Sequence, residues 1–113
     1  MKIDKLKAPK YCWGQQCESF VLLATKGLYV KQEMMPGHTK EEWHYHQQAQ
    51  QFFYILTGEA TFHLEDETIL LNTQEGISVA PGNKHFIENK TASVLEFLVI
   101  SQPSTDNDRI PIN

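Results

Sequence analysis

Long apolar runs, a basic charge balance and a cysteine framework are all missing from this sequence of 113 residues. No apolar run approaches the length that crosses a membrane, and residues 1–7 lack the apolar core of a signal peptide. We therefore expect a cytoplasmic protein. The formal net charge of −4 argues against nucleic acid or an anionic membrane as a partner, because both need a basic face.

Cysteine is scarce, since only Cys12 and Cys17 occur, in the segment Cys-Trp-Gly-Gln-Gln-Cys. Zinc ribbons use tighter pairs and need a second pair, which this sequence does not have. A disulfide between the two cysteines would close a very small loop and would stabilise the fold little. We interpret both as reduced, structural thiols.

A helical hydrophobic period is also missing, because no segment longer than a turn repeats its apolar residues every 3.6 positions. Short segments rich in aromatic and β-branched residues alternate with turns instead, as in residues 51–57 before Gly58. Another segment, residues 28–35, alternates Val30 and Met34 with Lys31 and Glu33, which predicts a half-buried strand. Many short strands at even spacing predict a closed all-β sandwich or barrel.

The chain is long enough for one domain and too short for two independent cores. We expect residues 19–101 to form this core. Residues 1–18 are interpreted as an N-terminal arm and residues 102–113 as a tail.

The sequence His44-Tyr45-His46 is the centre of the predicted functional site. Side chains alternate between the two faces of a strand, so the two histidines share one face. On a helix the same spacing would place them about 200° apart. Two imidazoles on one face form half of a metal site, and His85 opens a later strand after the turn at Pro81-Gly82.

Two segments around these histidines resemble the conserved motifs of the cupin superfamily. Residues 37–58 are similar to the first motif: a glycine, a gap, His-x-His, a carboxylate position and, after six intervening residues, a glycine. Residues 81–85, with Asn89 four positions further on, resemble the second motif. The resemblance covers roughly residues 28–100. It implies a single-domain cupin-type jelly-roll β-barrel, or double-stranded β-helix. It also implies a divalent transition metal ion (Zn, Ni, Fe or Mn) bound by residues of both motifs.

The departure that changes the chemistry is Gln51, which stands where the family usually carries a glutamate ligand. A glutamine oxygen can coordinate a metal, but it is neutral and a weaker donor than a carboxylate. Gln51 could instead only hydrogen-bond a ligand water, and Glu41 or Glu42 could supply the missing charge. The odd offset between His46 and Gln51 requires a bend that returns Gln51 to the metal side. The predicted metal ligands are His44, His46, Gln51 and His85.

The resemblance implies isomerase, epimerase, lyase or dioxygenase chemistry on a small molecule, and the fold does not choose among them. We expect an anionic ligand, because four neutral ligands leave a divalent ion with its full charge. A non-catalytic binding or sensing module and a metal-free degenerate site are the alternatives. No acid or base stands out; Tyr54 and Glu96 are candidates only if they face inward.

The remaining expectations concern the surface. The first 25 residues carry more apolar surface than a free arm should expose, and cupins often pair through N-terminal strands, so we expect a homodimer. His38 and His63 are interpreted as rim or solvent residues, and Asn89 as stabilising a turn. Asp108 and Arg109 are interpreted as a surface pair.

Overall fold

The structure is a computed structural model that describes residues 1–112. Over this range the chain contains strands and no helix, so the predicted all-β class is confirmed. The twelve strands of the described range are, in chain order, β1 Lys10–Trp13, β2 Cys17–Ala24, β3 Tyr29–Met35, β4 Thr39–Lys40, β5 His44–His46, β6 Gln50–Thr57, β7 Ala60–Leu64, β8 Glu67–Leu71, β9 Gly76–Val79, β10 His85–Asn89, β11 Leu95–Gln102 and β12 Arg109–Pro111.

The strands form two antiparallel sheets. Sheet A has the order β1-β2-β3-β11-β6-β9, and sheet B has the order β12-β5-β10-β7-β8, with β4 beside β10. The core lies between them, where Phe53 of sheet A and Phe62 of sheet B pack edge to face at 4.9 Å. The expected jelly-roll barrel is confirmed.

Strand β3 has the opposite orientation from the one that its apolar residues suggest. Lys31 and Glu33 line the interior cavity together with Tyr29, and Glu33 is buried. Val30 and Met34 therefore lie on the outer face of sheet A, because neighbouring side chains on a strand point to opposite faces. The strand was correctly located, but its polar side is the inner one.

The segments expected as an arm and a tail both contribute strands. Strand β1 pairs with β2, and β12 pairs with β5, the strand that carries two of the histidines. Edge positions of each sheet are covered in this way, so the two segments are parts of the barrel rather than loose extensions. None of the described residues forms a helix that is long and apolar enough to cross a membrane.

Sheet A has an apolar outer face at its centre. Val30 of β3, Ile100 of β11 and Phe52 of β6 are Cα partners in one row, and Leu98 and Tyr54 are partners in the next. The Phe52 ring stacks on Tyr54 with 6.3 Å between centroids, yet Phe52 remains 41% exposed. These five residues are called the sheet A face below.

Candidate metal centre

The three predicted histidines meet at adjacent strands of sheet B. His44 and His46 lie on β5, and His85 begins β10 as the Cα partner of His44. Each offers one ring nitrogen to a cluster in which these atoms all lie within 4.8 Å of one another. The three residues could therefore hold a metal ion, as their spacing in the sequence predicted.

Burial keeps these imidazoles neutral at physiological pH. Desolvation and the neighbouring His85 lower the pKa of His44 to about 3 and that of His46 to about 4. Burial also lowers the pKa of His85. A neutral imidazole has a free lone pair, which is the form that binds a metal ion.

Hydrogen bonds to the backbone fix which nitrogen of two rings carries the proton. His44 Nδ1 donates to the Glu42 carbonyl at 2.8 Å, and His85 Nδ1 donates to the Asn83 carbonyl at 2.9 Å. In both neutral rings Nε2 therefore keeps its lone pair, as in metal sites whose second shell orients the histidine. The buried Nδ1 of His46 has no hydrogen-bond partner among the described residues.

Between His46 and Gln51 the chain bends at residues 47–48. This bend brings Gln51 back to the side of the histidines, as predicted. The Asp108 carboxylate holds this bend by accepting the backbone N–H groups of Gln47, Gln48 and Ala49 at 3.0–3.2 Å. Burial alone would raise the pKa of Asp108, but these three N–H groups hold it below its usual range. The interpretation of Asp108 and Arg109 as a surface pair is wrong, because Asp108 supports the site.

Gln51 lies beside the histidines and is 7% exposed. Its Nε2 donates to Ser101 Oγ at 3.0 Å, and its Oε1 lies 3.1 Å from His85 Nε2. Because His85 carries its proton on Nδ1, the lone pair of its Nε2 faces a lone pair of Gln51 Oε1 across this distance. A shared cation relieves that repulsion, and a separation of about 3 Å is what two ligands at right angles around one ion require. The donors present thus fit a metal ion.

In the absence of a cation, a Gln51 amide rotated by about 180° can satisfy both His85 Nε2 and Ser101 Oγ. Gln51 would then donate N–H to His85 Nε2 and accept the Ser101 hydroxyl proton. We expect this orientation in the metal-free protein.

His44, His46 and Gln51 line a cavity of about 860 Å³ between the two sheets, and His85 lies fully buried beside them. The sheet A side of this cavity carries Tyr29, Lys31 and Glu33 of β3, and Glu41 lines it from the loop before β5. Burial disfavours the Lys31 ammonium, but Glu33, Tyr11 and Tyr29 more than offset this and raise its pKa. A permanent positive charge thus lines the same cavity as the histidine cluster.

Glu41 is the group in this cavity that departs most from its usual charge state. Desolvation, followed by the negative charge of Glu33, raises the pKa of Glu41 to about 8. Its carboxyl group is therefore protonated near neutral pH. The sequence interpretation considered Glu41 only as a source of charge for the metal, and it did not name Lys31, Glu33 or Arg109 as site residues.

Several other predicted positions are settled by the same geometry. Tyr54 belongs to the sheet A face, and Glu96 pairs with Lys5 at 2.7 Å, so neither lines the cavity. His38 is exposed at the cavity rim, and half-buried His63 stacks on Phe86 with 4.0 Å between centroids, away from the cluster. Asn89 donates to the carbonyls of Met35, Pro36 and Ser93, which confirms a turn-stabilising role.

Two solved structures with low sequence identity share this fold. The polyketide cyclase RemF from Streptomyces resistomycificus matches with a TM-score of 0.84 and 13% identity, over 100% of this chain and 85% of RemF. A protein from Thermotoga maritima, described as a predicted oxalate decarboxylase, matches with a TM-score of 0.82 and 22% identity, over 92% of this chain and 100% of that one. At these identities the likeness establishes the fold alone.

Sequence comparison adds one curated relative and one family. The tetracenomycin polyketide synthase protein TcmJ from Streptomyces glaucescens is 31% identical over 67 residues, which are 59% of this chain and 44% of TcmJ. The match thus spans less than half of the relative. The model of the cupin domain family matches residues 30–101, which include both predicted motifs. The chain belongs to the cupin family.

Proposed function

We propose that this cupin is a metal-dependent enzyme that acts on a small, anionic, enolisable molecule in the barrel cavity. The observation that carries the proposal is the cluster of three buried, neutral histidines, two of which, His44 and His46, line a cavity that Lys31 also lines. A volume of about 860 Å³ suits a molecule of drug-like size.

In this proposal His44, His46 and His85 hold the ion, and Gln51 Oε1 is the fourth ligand. Imidazole ligands suit zinc, iron and nickel, and the mixed nitrogen and oxygen set also admits manganese. When bound, a divalent ion polarises a carbonyl or enolate oxygen. With four neutral ligands its full charge is retained, which favours an anionic ligand over a neutral one.

The cavity walls supply binding and orientation. Lys31 attracts the negative group of the ligand, and the rings of Tyr11, Trp13 and Tyr29 offer flat surfaces for a planar body. The two sheets partly enclose this space, and the lower local dielectric strengthens the charge interactions inside it. Among the reaction classes of the resemblance, these features favour proton transfer, as in isomerases and epimerases.

The names of two similar proteins point to the same substrate class. TcmJ is a polyketide synthase protein and RemF is a polyketide cyclase. Polyketide intermediates are chains of enolisable carbonyl groups, and their cyclisation depends on enolate formation. We propose such polycarbonyl compounds as the first substrates to test.

The test is turnover by metal-loaded and chelated protein against a panel of diketones, keto acids and sugars. We expect turnover of an enolisable anion that disappears on chelation and returns when metal is restored. Tight binding without turnover of any panel member would indicate a binding or sensing module instead. Protein that contains no metal and takes up none would indicate the degenerate site.

We also propose a homodimer, formed through the sheet A face. The sequence favours a dimer because of apolar residues near the N-terminus that a free arm would expose. The structure removes that reason, because Tyr11 and Trp13 line the cavity and Phe20 is buried. The sheet A face is apolar, and the neighbouring carboxylate of Glu96 is already paired with Lys5. Two copies can therefore meet across a twofold axis without burying an unpaired charge.

Replacing Phe52 with glutamate should dissociate this dimer. Two carboxylates near a twofold axis would be desolvated together, at a cost of several kcal/mol or more than about a hundredfold in the dissociation constant. Light scattering over a range of protein concentrations measures the mass. Leu70→Glu is the matched control, because Leu70 is a comparably exposed apolar residue (55%) on the other sheet. A wild-type monomer at micromolar concentration would contradict the proposal.

The cytoplasm is the compartment that we propose. Cys12 and Cys17 are both free thiols, as the sequence predicted, and free thiols suit a reducing compartment. The proposed partners are accordingly a small-molecule ligand and a second copy of the chain, and not nucleic acid or a membrane.

A further inference from the structure

Hydrogen bonds hold Glu41 beside β10, the strand that begins at His85. The Glu41 N–H donates to the Ile87 carbonyl at 3.1 Å, and the Glu41 Oε1 accepts the Ile87 N–H at 3.0 Å. His85 lies two residues before Ile87 on the same strand. Residues two apart on an antiparallel strand are separated by about 6.8 Å, so a ligand of a few atoms fits between the two levels.

The two oxygens of the Glu41 carboxyl have different surroundings. Oε1 is fixed by Ile87, whereas Oε2 has no hydrogen-bond partner among the described residues. The residue lines the cavity, so Oε2 is the oxygen available to a bound molecule. A carboxyl group held by one oxygen and open at the other is arranged for exchange of a proton with a ligand.

The groups around Glu41 set its charge. Glu33 on β3 is the negative neighbour that disfavours a second carboxylate, while Lys31 on the same strand and Arg109 on β12 act in the opposite direction more weakly. The Cys17 thiol on β2 is a further titratable neighbour, and burial raises its pKa, so it stays uncharged near neutral pH. Burial and Glu33 together leave Glu41 with a proton to donate.

We propose that Glu41 is the catalytic acid and base of this cavity, exchanging a proton with the reacting carbon of an enolisable anion. The proposal rests on the function proposed above and names the residue that carries out its central step. In the donating direction, the O–H bond at Oε2 breaks and the electron pair of the enol C=C bond forms the new C–H bond. The enol oxygen becomes a carbonyl oxygen and releases its own proton to solvent. The Glu41 carboxylate then regains a proton from solvent, and the reverse sequence forms the enol.

The walls indicate which anions suit this step. Lys31 binds a carboxylate or enolate oxygen, and the aromatic rings of Tyr11, Trp13 and Tyr29 accommodate a planar group next to it. An aromatic 2-keto acid combines both features with an enolisable carbon. Phenylpyruvate is such a compound, and its enol becomes the ketone when one proton is delivered to carbon.

The test is the rate of ketonisation of phenylpyruvate enol by the metal-loaded full chain, followed by ultraviolet absorbance. Glu41→Gln should lower the enzymatic rate by roughly 100-fold or more, the usual contribution of a general acid. It should still bind phenylpyruvate, because the amide oxygen accepts the Ile87 N–H as before. Quenching of Trp13 fluorescence at the cavity wall measures that binding. Glu59→Gln, an exposed site outside the cavity, should change neither quantity.

The pH profile separates proton transfer from a structural role. The wild-type rate should fall as the pH rises above about 8, where Glu41 loses its proton. Glu33→Gln removes the neighbouring negative charge, so the pKa of Glu41 should drop and this descending limb should move to lower pH. A limb that stays in place in Glu33→Gln, or that persists in Glu41→Gln, would overturn the proposal.

Chelation distinguishes failure of this inference from failure of the proposed function. A rate that falls on chelation but not in Glu41→Gln overturns the role of Glu41 and leaves the metal enzyme intact. A rate that falls in Glu41→Gln but not on chelation supports Glu41 and overturns the dependence on metal. Wild-type protein that binds phenylpyruvate but does not accelerate its ketonisation overturns the role of Glu41 in this step, whereas absence of turnover across the whole substrate panel overturns the proposed function.

Discussion

Replacing His46 with alanine should remove most of the metal from the purified protein. His44, His46 and His85 supply the three nitrogens of the cluster, all within 4.8 Å, so the variant retains only two of them. Loss of a partner that only orients a ligand costs about 10–100-fold in metal affinity, and loss of a ligand should cost more. Elemental analysis of the purified protein and titration of the metal-free form measure the change.

His63→Gln is the matched control for this experiment. It also removes one imidazole, but His63 stacks on Phe86 and bonds Glu88 at 3.0 Å, outside the cluster. The glutamine side chain can keep a hydrogen bond to Glu88, so folding should be preserved. If His46→Ala retains the metal content of the wild type, the cluster is not the metal site.

Replacing Gln51 with glutamate should tighten metal binding and weaken the binding of anions. The change replaces a neutral oxygen with a charged one 3.1 Å from His85 Nε2, and Ser101 can rotate its hydroxyl to donate to the new carboxylate. Contacts to a charged group contribute roughly 1.5–3 kcal/mol, which corresponds to about 10–100-fold in the dissociation constant of the metal. The net charge of the site falls by one, so an anionic ligand loses part of its attraction.

Competition with a chromogenic chelator measures the metal affinity, and quenching of tryptophan fluorescence measures binding of phenylpyruvate. Gln50→Glu is the control, because it adds the same charge at the neighbouring position, where the side chain is exposed and bonds Gln102. Glutamate at position 50 should change neither affinity appreciably. Equal or weaker metal affinity in Gln51→Glu would mean that Gln51 is not a ligand.

The histidine cluster illustrates what local pattern can predict. Period-two alternation puts His44 and His46 on one face of any strand, whatever surrounds it, and the second motif adds His85. The odd offset to Gln51 required a bend, and residues 47–48 form it. The shared face and the bend follow from strand geometry and spacing, whereas the inclusion of His85 and Gln51 in one site follows from the resemblance to the two cupin motifs.

The wall that contains Lys31, Glu33 and Glu41 could not be predicted in the same way. Alternation along β3 shows that Lys31 and Glu33 share a face, but it leaves open which face is inside. Burial of polar groups is normally unfavourable, so the apolar residues Val30 and Met34 were the natural choice for the interior. The cavity reverses that choice, because the polar groups that line it contact one another, as Lys31 Nζ does when it donates to the Tyr11 hydroxyl at 3.0 Å.

The support given to the site by distant segments was equally hidden from the sequence. Asp108 bonds backbone N–H groups about 60 positions earlier in the chain, and β12 pairs with the strand that bears His44 and His46. Neither the polar composition of residues 102–113 nor their spacing marks them as a strand. Long-range pairing of this kind depends on which strand edge the assembled barrel leaves open beside the segment. Only the tertiary structure shows that edge.

By itself the sequence determined the all-β class, the strands that carry the site, the three histidines that share it and the glutamine at the position where the cupin motif carries a carboxylate. The strands and the shared face of His44 and His46 follow from periodicity, turn residues and spacing, which act over a few residues, whereas the place of Gln51 follows from the resemblance to the cupin motifs. Only the tertiary structure decided which side of β3 faces inward, that the half-buried Glu41 keeps its proton near neutral pH, and that the apolar face of sheet A lies outside. Burial and charge depend on neighbours brought together from every part of the chain, and no local pattern contains them.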